Sequence, residues 1–140
     1  LHGDELRNIL KLNKYDKLSR LENGKKYCKL LKLLTDQNIN VIITVVGMFH
    51  SLRSWNRKNF SNYVEIYLKS KIEKIKYNTK KKTYTKFRNN IVGQDIKPEL
   101  PRNPDITIFN DFESDLNDLN KTLLKKFKKI YERDYKKTIK

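Results

Sequence analysis

The side chains with the clearest chemical meaning lie in the first seven residues of this sequence, LHGDELR. Leu1 and His2 are typical of the end of a β-strand, and Gly3 and Asp4 of the turn from a strand into a helix. A carboxylate at such a turn can accept the proton of a hydroxyl group or order a magnesium ion, and Arg7 offers a guanidinium that suits phosphate or sulfate. The pattern therefore predicts the substrate-facing part of an α/β phosphotransferase site.

A phosphotransferase of this kind also needs a glycine-rich phosphate loop, and the sequence has no complete one. Only the pair Gly24-Lys25 resembles the end of a G-x-x-x-x-G-K-S/T loop. Ser19 stands where the first glycine of that loop belongs, and Lys26 stands where its hydroxyl residue belongs. The opening residues therefore predict one half of a site whose ATP-binding half is missing.

The length of 140 residues predicts one domain with a single core. No apolar run approaches the roughly 20 residues that cross a bilayer, so no membrane partner is expected. Cys28 is the only cysteine, which favours a small core residue and a cytoplasmic protein. His2 and His50 have no clustered acids or cysteines beside them, so no metal ligands are predicted.

The net charge of +16 favours polyanions in general without specifying one. Residues 69–88 include nine basic side chains and one acid, Glu73, which suits either a phosphate-facing lid or a solvated loop. The sequence has no recognised nucleic-acid motif, so nucleic acid is not an expected partner.

The hydrophobic periods alternate as in an α/β protein. The β-branched run at 41–46 predicts a strand covered on both faces, as in a parallel sheet. Ser19 and Glu22 predict a capping box for a helix that ends near Gln37. The other predicted elements are a short helix after Asp4, strands at 63–68 and 105–109, helices near 51–59 and 72–77, and a last helix over about 113–134. Together they predict an open parallel sheet with flanking helices.

Several of these residues share their spacing with a known family. LHGDELR resembles the LDGDxxR turn of the adenylylsulfate kinase family, and RLEN at 20–23 resembles its R-x-x-N substrate motif. Tyr15 stands where an aromatic residue of the family stacks on the substrate base. Residues 91–95 and 101–105 resemble the F-T-G-I-D and P-x-N-P-D/E segments. The order and spacing hold over about residues 1–112.

This resemblance implies a P-loop NTPase-like fold whose first strand and phosphate loop would precede Leu1. The chain is therefore expected to be truncated at its N-terminus, inactive as it stands and poorly stable, because a missing central strand leaves sheet edges open. ATP and Mg²⁺ are the implied cofactors, although their phosphate-loop ligands are absent. The implied partner is a nucleotide substrate, adenylylsulfate or a relative of it, and a homodimer stays open.

The resemblance also implies site residues. Asp4 is the expected catalytic residue, and the expected substrate-binding residues are Arg7, Tyr15, Arg20, Asn23, Gly47, Lys81 and Ile91. Each has a plainer interpretation when taken alone. Asp4 would be a helix cap, the arginines surface residues, Tyr15 boundary packing and Asn23 a helix-surface asparagine.

The departures from the family pattern fall on the acceptor side. His2 replaces the first acid of the turn, and Gly47 replaces a serine. Asn78 and Thr79 replace an arginine–aspartate pair, and the lid before Gly93 lacks about four residues.

Three functions stay open. The favoured one is ATP-dependent phosphorylation of the 3′-hydroxyl of adenylylsulfate in sulfate assimilation. The second is the same reaction on another nucleotide conjugate, such as a cytidine diphosphate derivative of surface-polysaccharide synthesis. The third is a non-catalytic remnant with a polyanion-binding basic surface.

Overall fold

The computed structural model describes residues 1–78 and 89–135, which form an α/β structure of five helices and two parallel strands. The described residues group into two compact units, residues 1–63 with 89–100 and residues 64–78 with 101–135. The single domain expected from the length stays a prediction. In chain order the elements are α1 (Gly3–Ile9), α2 (Lys17–Asp36), α3 (His50–Asn59), β1 (Ile66–Lys69), α4 (Ile72–Asn78), β2 (Ile106–Phe109) and α5 (Leu116–Tyr135).

In the first unit, the chain turns from extended backbone into α1 where the sequence predicts it. His2 forms a parallel bridge with Thr44, and the Gly3 N–H donates to the Thr44 carbonyl over 2.8 Å. His2 is also the N-cap of α1, because its Nδ1 accepts a hydrogen bond from the Asp4 N–H. This turn brings α1 directly against the backbone at Thr44.

Gly3 is required at this turn by close packing. A Cβ on Gly3 would lie 3.1 Å from the Thr44 carbonyl oxygen and 3.0 Å from Val45 Cγ1. We expect Gly3→Ala to lower the free energy of unfolding by about 1–3 kcal/mol, because backbone must move to admit the methyl group. Gly47→Ala is the control, since its Cβ would meet only Arg53 Nη2, at 3.9 Å. Equal losses in urea unfolding of the two variants would contradict this explanation.

Helix α2 begins earlier than predicted, and its cap is a different residue. Asp16 is the N-cap, and its carboxylate accepts hydrogen bonds from the Ser19 N–H over 2.9 Å and the Ser19 hydroxyl over 2.6 Å. These two bonds hold the pKa of Asp16 below its ordinary value. The predicted Ser19–Glu22 capping box is therefore wrong, because the carboxylate three residues before Ser19 takes the free N–H. Glu22 pairs with Lys25 instead.

The core of this unit lies where α2 and α3 meet the chain before α3 and the 91–96 turn. Met48, Phe49 and Ile96 form a buried cluster there. Gly24 allows close helix contact, since a Cβ there would lie 2.3 Å from Leu52 Cδ1. Cys28 is buried as predicted, and burial raises the pKa of its thiol.

The run 41–46 differs from its prediction. Thr44 pairs with His2, but no strand is assigned to the run, and Ile42 and Val46 are 82% and 69% exposed. The prediction of a strand covered on both faces is wrong for the described residues. β-branched residues favour extended backbone, but a strand also needs partners along its length, and the pairing here stops after the turn at Gly3.

The second unit contains the two-stranded sheet. β1 and β2 pair in parallel, with Ile66 opposite Ile106 and Leu68 opposite Ile108. β2 lies where predicted, whereas β1 begins at Ile66 rather than at residue 63. Ile106 and Ile108 are 2% and 4% exposed, and α5 packs against β2. Ser70 ties the end of β1 to this sheet through a 2.6 Å bond to the Asn110 carbonyl.

Helix α5 buries only some of its apolar side chains. Leu119, Leu123 and Ile130 are half-buried, whereas Leu116 is 77% exposed. Lys126 of α5 donates to the Thr107 carbonyl, so this lysine contacts the backbone of its own unit. None of the helices in residues 1–78 and 89–135 is long and apolar enough to cross a membrane.

Candidate functional site

Asp4 and Gly47 lie just beyond the carboxyl ends of two paired parallel segments. The segments pair at the bridge between His2 and Thr44; Asp4 follows the first and Gly47 follows the second. Ligands of α/β proteins bind outside the carboxyl ends of parallel strands, which is the edge that these two residues share. Because His2 caps α1, the interpretation of Asp4 as the helix cap is wrong. Asp4 lies exposed in the first helical turn.

Arg7 and Arg20 both approach the ring of Tyr15. The Arg7 Cζ atom lies 4.5 Å from the ring centroid, and the Arg20 Cζ atom lies 5.5 Å from it. Arg7 Nη1 donates to the Leu12 carbonyl over 2.9 Å and to the Lys14 carbonyl over 3.1 Å. These bonds hold residues 12–15 against α1, so the Tyr15 ring stands beside both guanidiniums.

Arg20 has a second structural role. Its Nε donates to the Tyr15 carbonyl over 2.6 Å, and its Nη2 donates to the Asn90 carbonyl over 3.0 Å. Arg20 therefore joins the start of α2 to the 90–96 turn, a contact between residues 70 positions apart.

The two guanidiniums form a site of positive charge. Burial and the neighbouring Arg7 charge lower the pKa of Arg20. In the parts of the chain that the structure describes, neither arginine forms an ion pair with a carboxylate. Two converging cations that form no ion pair with a carboxylate of the described residues favour an anion. Tyr15, which is 48% exposed, offers a ring beside them. This arrangement suits a nucleotide, which has both an aromatic base and anionic groups.

Asn23 is buried rather than on the helix surface. Its side chain is only 6% exposed, so the plainer interpretation of a surface asparagine is wrong. Arg20 donates to backbone carbonyls and not to Asn23. Tyr27, one turn further along α2, is also buried, and its hydroxyl donates to the Gly3 carbonyl over 3.4 Å. Burial raises the pKa of Tyr27.

The turn containing Ile91 is built around one carboxylate. The Ile91 N–H donates to Asp95 Oδ2 over 2.8 Å, and Gly93 has a φ of 86°, which glycine adopts without strain. Ile91 is 6% exposed, so its side chain supports the turn from within the core. Lys81, the remaining predicted substrate-binding residue, lies outside the described residues, as does Thr79.

Sequence reasoning missed Glu99 and Arg53, which hold the turn at Gly47. Glu99 Oε2 accepts a hydrogen bond from the His50 N–H over 2.5 Å, and Arg53 Nη2 donates to the Gly47 carbonyl over 2.6 Å. The available signal was weak. Glu99 is an acid between prolines in a basic sequence, and nothing local indicates that it caps a helix 49 residues away.

The residues that the structure describes do not fit the phosphates of ATP. Gly24 and Lys25, the only trace of a phosphate loop, lie within α2, where the backbone N–H groups are used by the helix. No group of three acids, histidines or cysteines in residues 1–78 and 89–135 could hold a metal ion.

A family model described as adenylylsulphate kinase matches residues 1–109. The chain belongs to the adenylylsulphate kinase family. This confirms the family predicted from LHGDELR, RLEN and the segments after residue 90. The match includes Asp4, Arg7, Tyr15 and Arg20, the residues that the geometry places around the candidate site.

Two relatives with known activities differ in their acceptors. The chain is 36% identical over 130 residues to a cytidine diphosphoramidate kinase of Campylobacter jejuni, covering 90% of this chain and 76% of that protein. It is 30% identical over 129 residues to an adenylyl-sulfate kinase of Clostridium kluyveri, covering 88% of this chain and 65% of that protein. The chain therefore spans slightly less than two thirds of the Clostridium adenylyl-sulfate kinase.

A solved structure of the adenylylsulphate kinase family has the same fold. The Mycobacterium tuberculosis APS kinase CysC, in complex with AMPPNP and APS, superposes with a TM-score of 0.80. The match covers 91% of this chain and 78% of that chain, at 19% sequence identity. The predicted α/β fold with parallel strands and flanking helices is confirmed.

Proposed function

We propose that this chain binds the acceptor of a kinase reaction, a nucleotide conjugate whose hydroxyl group receives the phosphoryl group of ATP. The observation that supports this best is the approach of Arg7 and Arg20 to the ring of Tyr15. Within residues 1–78 and 89–135, neither arginine forms an ion pair with a carboxylate. A base stacked near Tyr15 would place its phosphates within reach of the two guanidiniums. Adenylylsulfate and cytidine diphosphate conjugates both combine a base with two linked anionic groups.

Each site residue has a role in this proposal. Asp4, exposed at the carboxyl edge of the 1–3 turn, would accept the proton of the acceptor hydroxyl. Arg7 and Arg20 would neutralise the anionic groups. Asn23 stays a proposal by resemblance, as a contact to the polar groups of the acceptor. Gly47 would contact the acceptor through its backbone.

Lys81 and Ile91 stay proposals by resemblance, both as contacts to the acceptor. ATP and Mg²⁺ stay the proposed cofactors. None of the site residues named above fits the phosphates of ATP.

We propose a cytidine diphosphate conjugate as the acceptor and keep adenylylsulfate as the second candidate. The relative that is 36% identical over 90% of this chain is named for cytidine diphosphoramidate, and the adenylyl-sulfate kinase of Clostridium kluyveri is 30% identical. Gly47, which replaces the serine of the adenylylsulfate kinase pattern, lies at the edge that faces the acceptor. The cytoplasm is the proposed location, because the single cysteine is buried and unpaired. The homodimer stays a prediction.

The test is a binding competition on the full 140-residue chain, with CDP and adenylylsulfate as ligands in isothermal titration calorimetry. We expect CDP to bind at least about tenfold more tightly than cytidine, because cytidine lacks the anions that Arg7 and Arg20 neutralise. We also expect CDP to displace adenylylsulfate.

Two controls separate the alternatives. Strict preference for adenylylsulfate would refute the cytidine diphosphate acceptor and leave the kinase proposal standing. A mixed-sequence oligonucleotide tests the remnant with a basic surface, since that binding would weaken steeply with salt and ignore the base. Failure of both nucleotides to bind would refute the proposed function.

A further inference from the structure

Glu99 makes three hydrogen bonds where α3 begins, two to the turn at residues 47–50 and one to Arg53 of α3. Glu99 Oε2 accepts from the His50 N–H over 2.5 Å, and the Glu99 N–H donates to the Met48 carbonyl over 2.9 Å. Arg53 Nη1 donates to the Glu99 carbonyl over 2.6 Å. Glu99 thus contacts the turn through its side chain and its N–H, and it contacts Arg53 through its carbonyl.

Glu99 supplies the cap that α3 lacks locally. Phe49 is the N-cap residue, and its side chain makes no capping bond. A carboxylate at a helix N-terminus satisfies a free N–H and interacts favourably with the helix dipole. The bond from the His50 N–H, with the nearby charges of His50, Lys17 and Arg53, holds the pKa of Glu99 below its ordinary value.

Arg53 connects this cap to the candidate site. While Nη1 contacts the Glu99 carbonyl, Nη2 donates to the Gly47 carbonyl over 2.6 Å. Gly47 is exposed, whereas Met48 and Phe49 are 3% and 7% exposed. The core therefore holds Met48 and Phe49. The exposed Gly47 is held by Arg53 at its carbonyl and by the Val45 carbonyl, which accepts from the Gly47 N–H over 3.1 Å.

Gly47 lies at the same carboxyl edge as Asp4, because the two segments that precede these residues pair at the bridge between His2 and Thr44. We infer that Glu99 and Arg53 are positioning residues of the acceptor site. They orient the Gly47 peptide toward the edge at which Asp4 lies. This inference rests on the proposed function and assigns to it two residues, from α3 and from the 97–100 segment, that do not themselves contact the acceptor.

The test compares Glu99→Ala and Glu99→Gln with the wild-type chain. We expect Glu99→Ala to weaken CDP binding about tenfold, the cost of leaving the Gly47 turn without its charged hydrogen bond. Hydrogen exchange at the His50 amide should rise in the same variant. Glu99→Gln keeps an accepting oxygen, and its CDP affinity should fall less.

The pH profile of CDP affinity distinguishes positioning from packing. The folded chain holds the pKa of Glu99 below its ordinary value of about 4.3. The contribution of the ionised carboxylate to CDP affinity is therefore complete above that ordinary value. It is lost as the pH falls through the lowered pKa. We expect the wild-type affinity to fall over that window and the Glu99→Gln affinity to lack this component. Glu22→Gln is the matched control, because Glu22 is an exposed carboxylate whose pKa is also lowered, by Lys25.

The outcomes separate the two proposals. In Glu99→Ala, faster hydrogen exchange at the His50 amide with unchanged CDP affinity would overturn the positioning role. Unchanged hydrogen exchange at that amide would overturn it as well. An equal effect of Glu22→Gln on the pH profile would overturn it as well. Absence of CDP and adenylylsulfate binding in the wild-type chain would instead refute the proposed function.

Discussion

Replacement of Arg20 by alanine is expected to lower the affinity for CDP by about 100-fold, or about 2.7 kcal/mol. Arg20 donates to the Tyr15 carbonyl over 2.6 Å and to the Asn90 carbonyl over 3.0 Å, and its guanidinium lies beside the Tyr15 ring. Alanine removes the charge that would neutralise a phosphate and also frees the segment that presents Tyr15. Both effects weaken binding of the same ligand.

Arg20→Lys separates the charge from the shape of the guanidinium. Lysine keeps a cation but cannot donate to two carbonyls in the fork geometry of arginine, so we expect a loss intermediate between wild type and Arg20→Ala. Arg102→Ala is the control, because Arg102 is an exposed arginine of the other unit. Calorimetry measures the affinity, and circular dichroism confirms that each variant is folded. Affinity of folded Arg20→Ala within threefold of wild type would refute the role of Arg20.

Replacement of Ile106 by alanine is expected to lower the free energy of unfolding by about 2–5 kcal/mol, the range for a fully buried isoleucine. Ile106 is 2% exposed, so its truncation leaves a cavity between β2 and the side chains packed on it. A loss of this size is a large part of the stability of an ordinary domain.

Ile66 provides a matched control for Ile106. The two isoleucines are opposite each other in the parallel register, but Ile66 is 40% exposed. We expect Ile66→Ala to lower the free energy of unfolding by about 1 kcal/mol. Ile66 buries less apolar surface in the folded chain than Ile106 does, and its truncation leaves no closed cavity. Urea unfolding of both variants measures the difference. Equal losses would show that burial of Ile106 does not stabilise this sheet.

The family and the candidate site residues are predicted from short motifs that resemble those of the adenylylsulfate kinase family. LHGDELR predicts both the extended entry into α1 and the acid and arginine beside it, and the parallel bridge at His2 agrees with that prediction. The spacing of Arg7, Tyr15 and Arg20 within 14 residues is also local, and the structure brings all three together. Short-range signals succeed here because the arrangement of Arg7, Tyr15 and Arg20 depends on neighbouring parts of the chain: α1, the loop that follows it and the start of α2.

Helix boundaries show where local signals compete. Ser19 and Glu22 match a capping-box pattern, and Asp16 matches an N-cap equally well. The structure uses Asp16, whose carboxylate contacts both the N–H and the hydroxyl of Ser19. Asp16 and Ser19 are both valid N-cap residues in the sequence. Which of them caps the helix depends on which backbone N–H groups are left free when the helix forms.

The sequence by itself determined the fold class, the family and most of the candidate site, because periodicity and motif spacing are properties of neighbouring residues. Only the tertiary structure decided the pairing of residues 41–46 and the role of Glu99. The β-branched run favours extended backbone, but its burial depends on partner strands, and Ile42 is 82% exposed. Glu99 caps a helix that begins 49 residues earlier, a contact that exists only after the chain has folded.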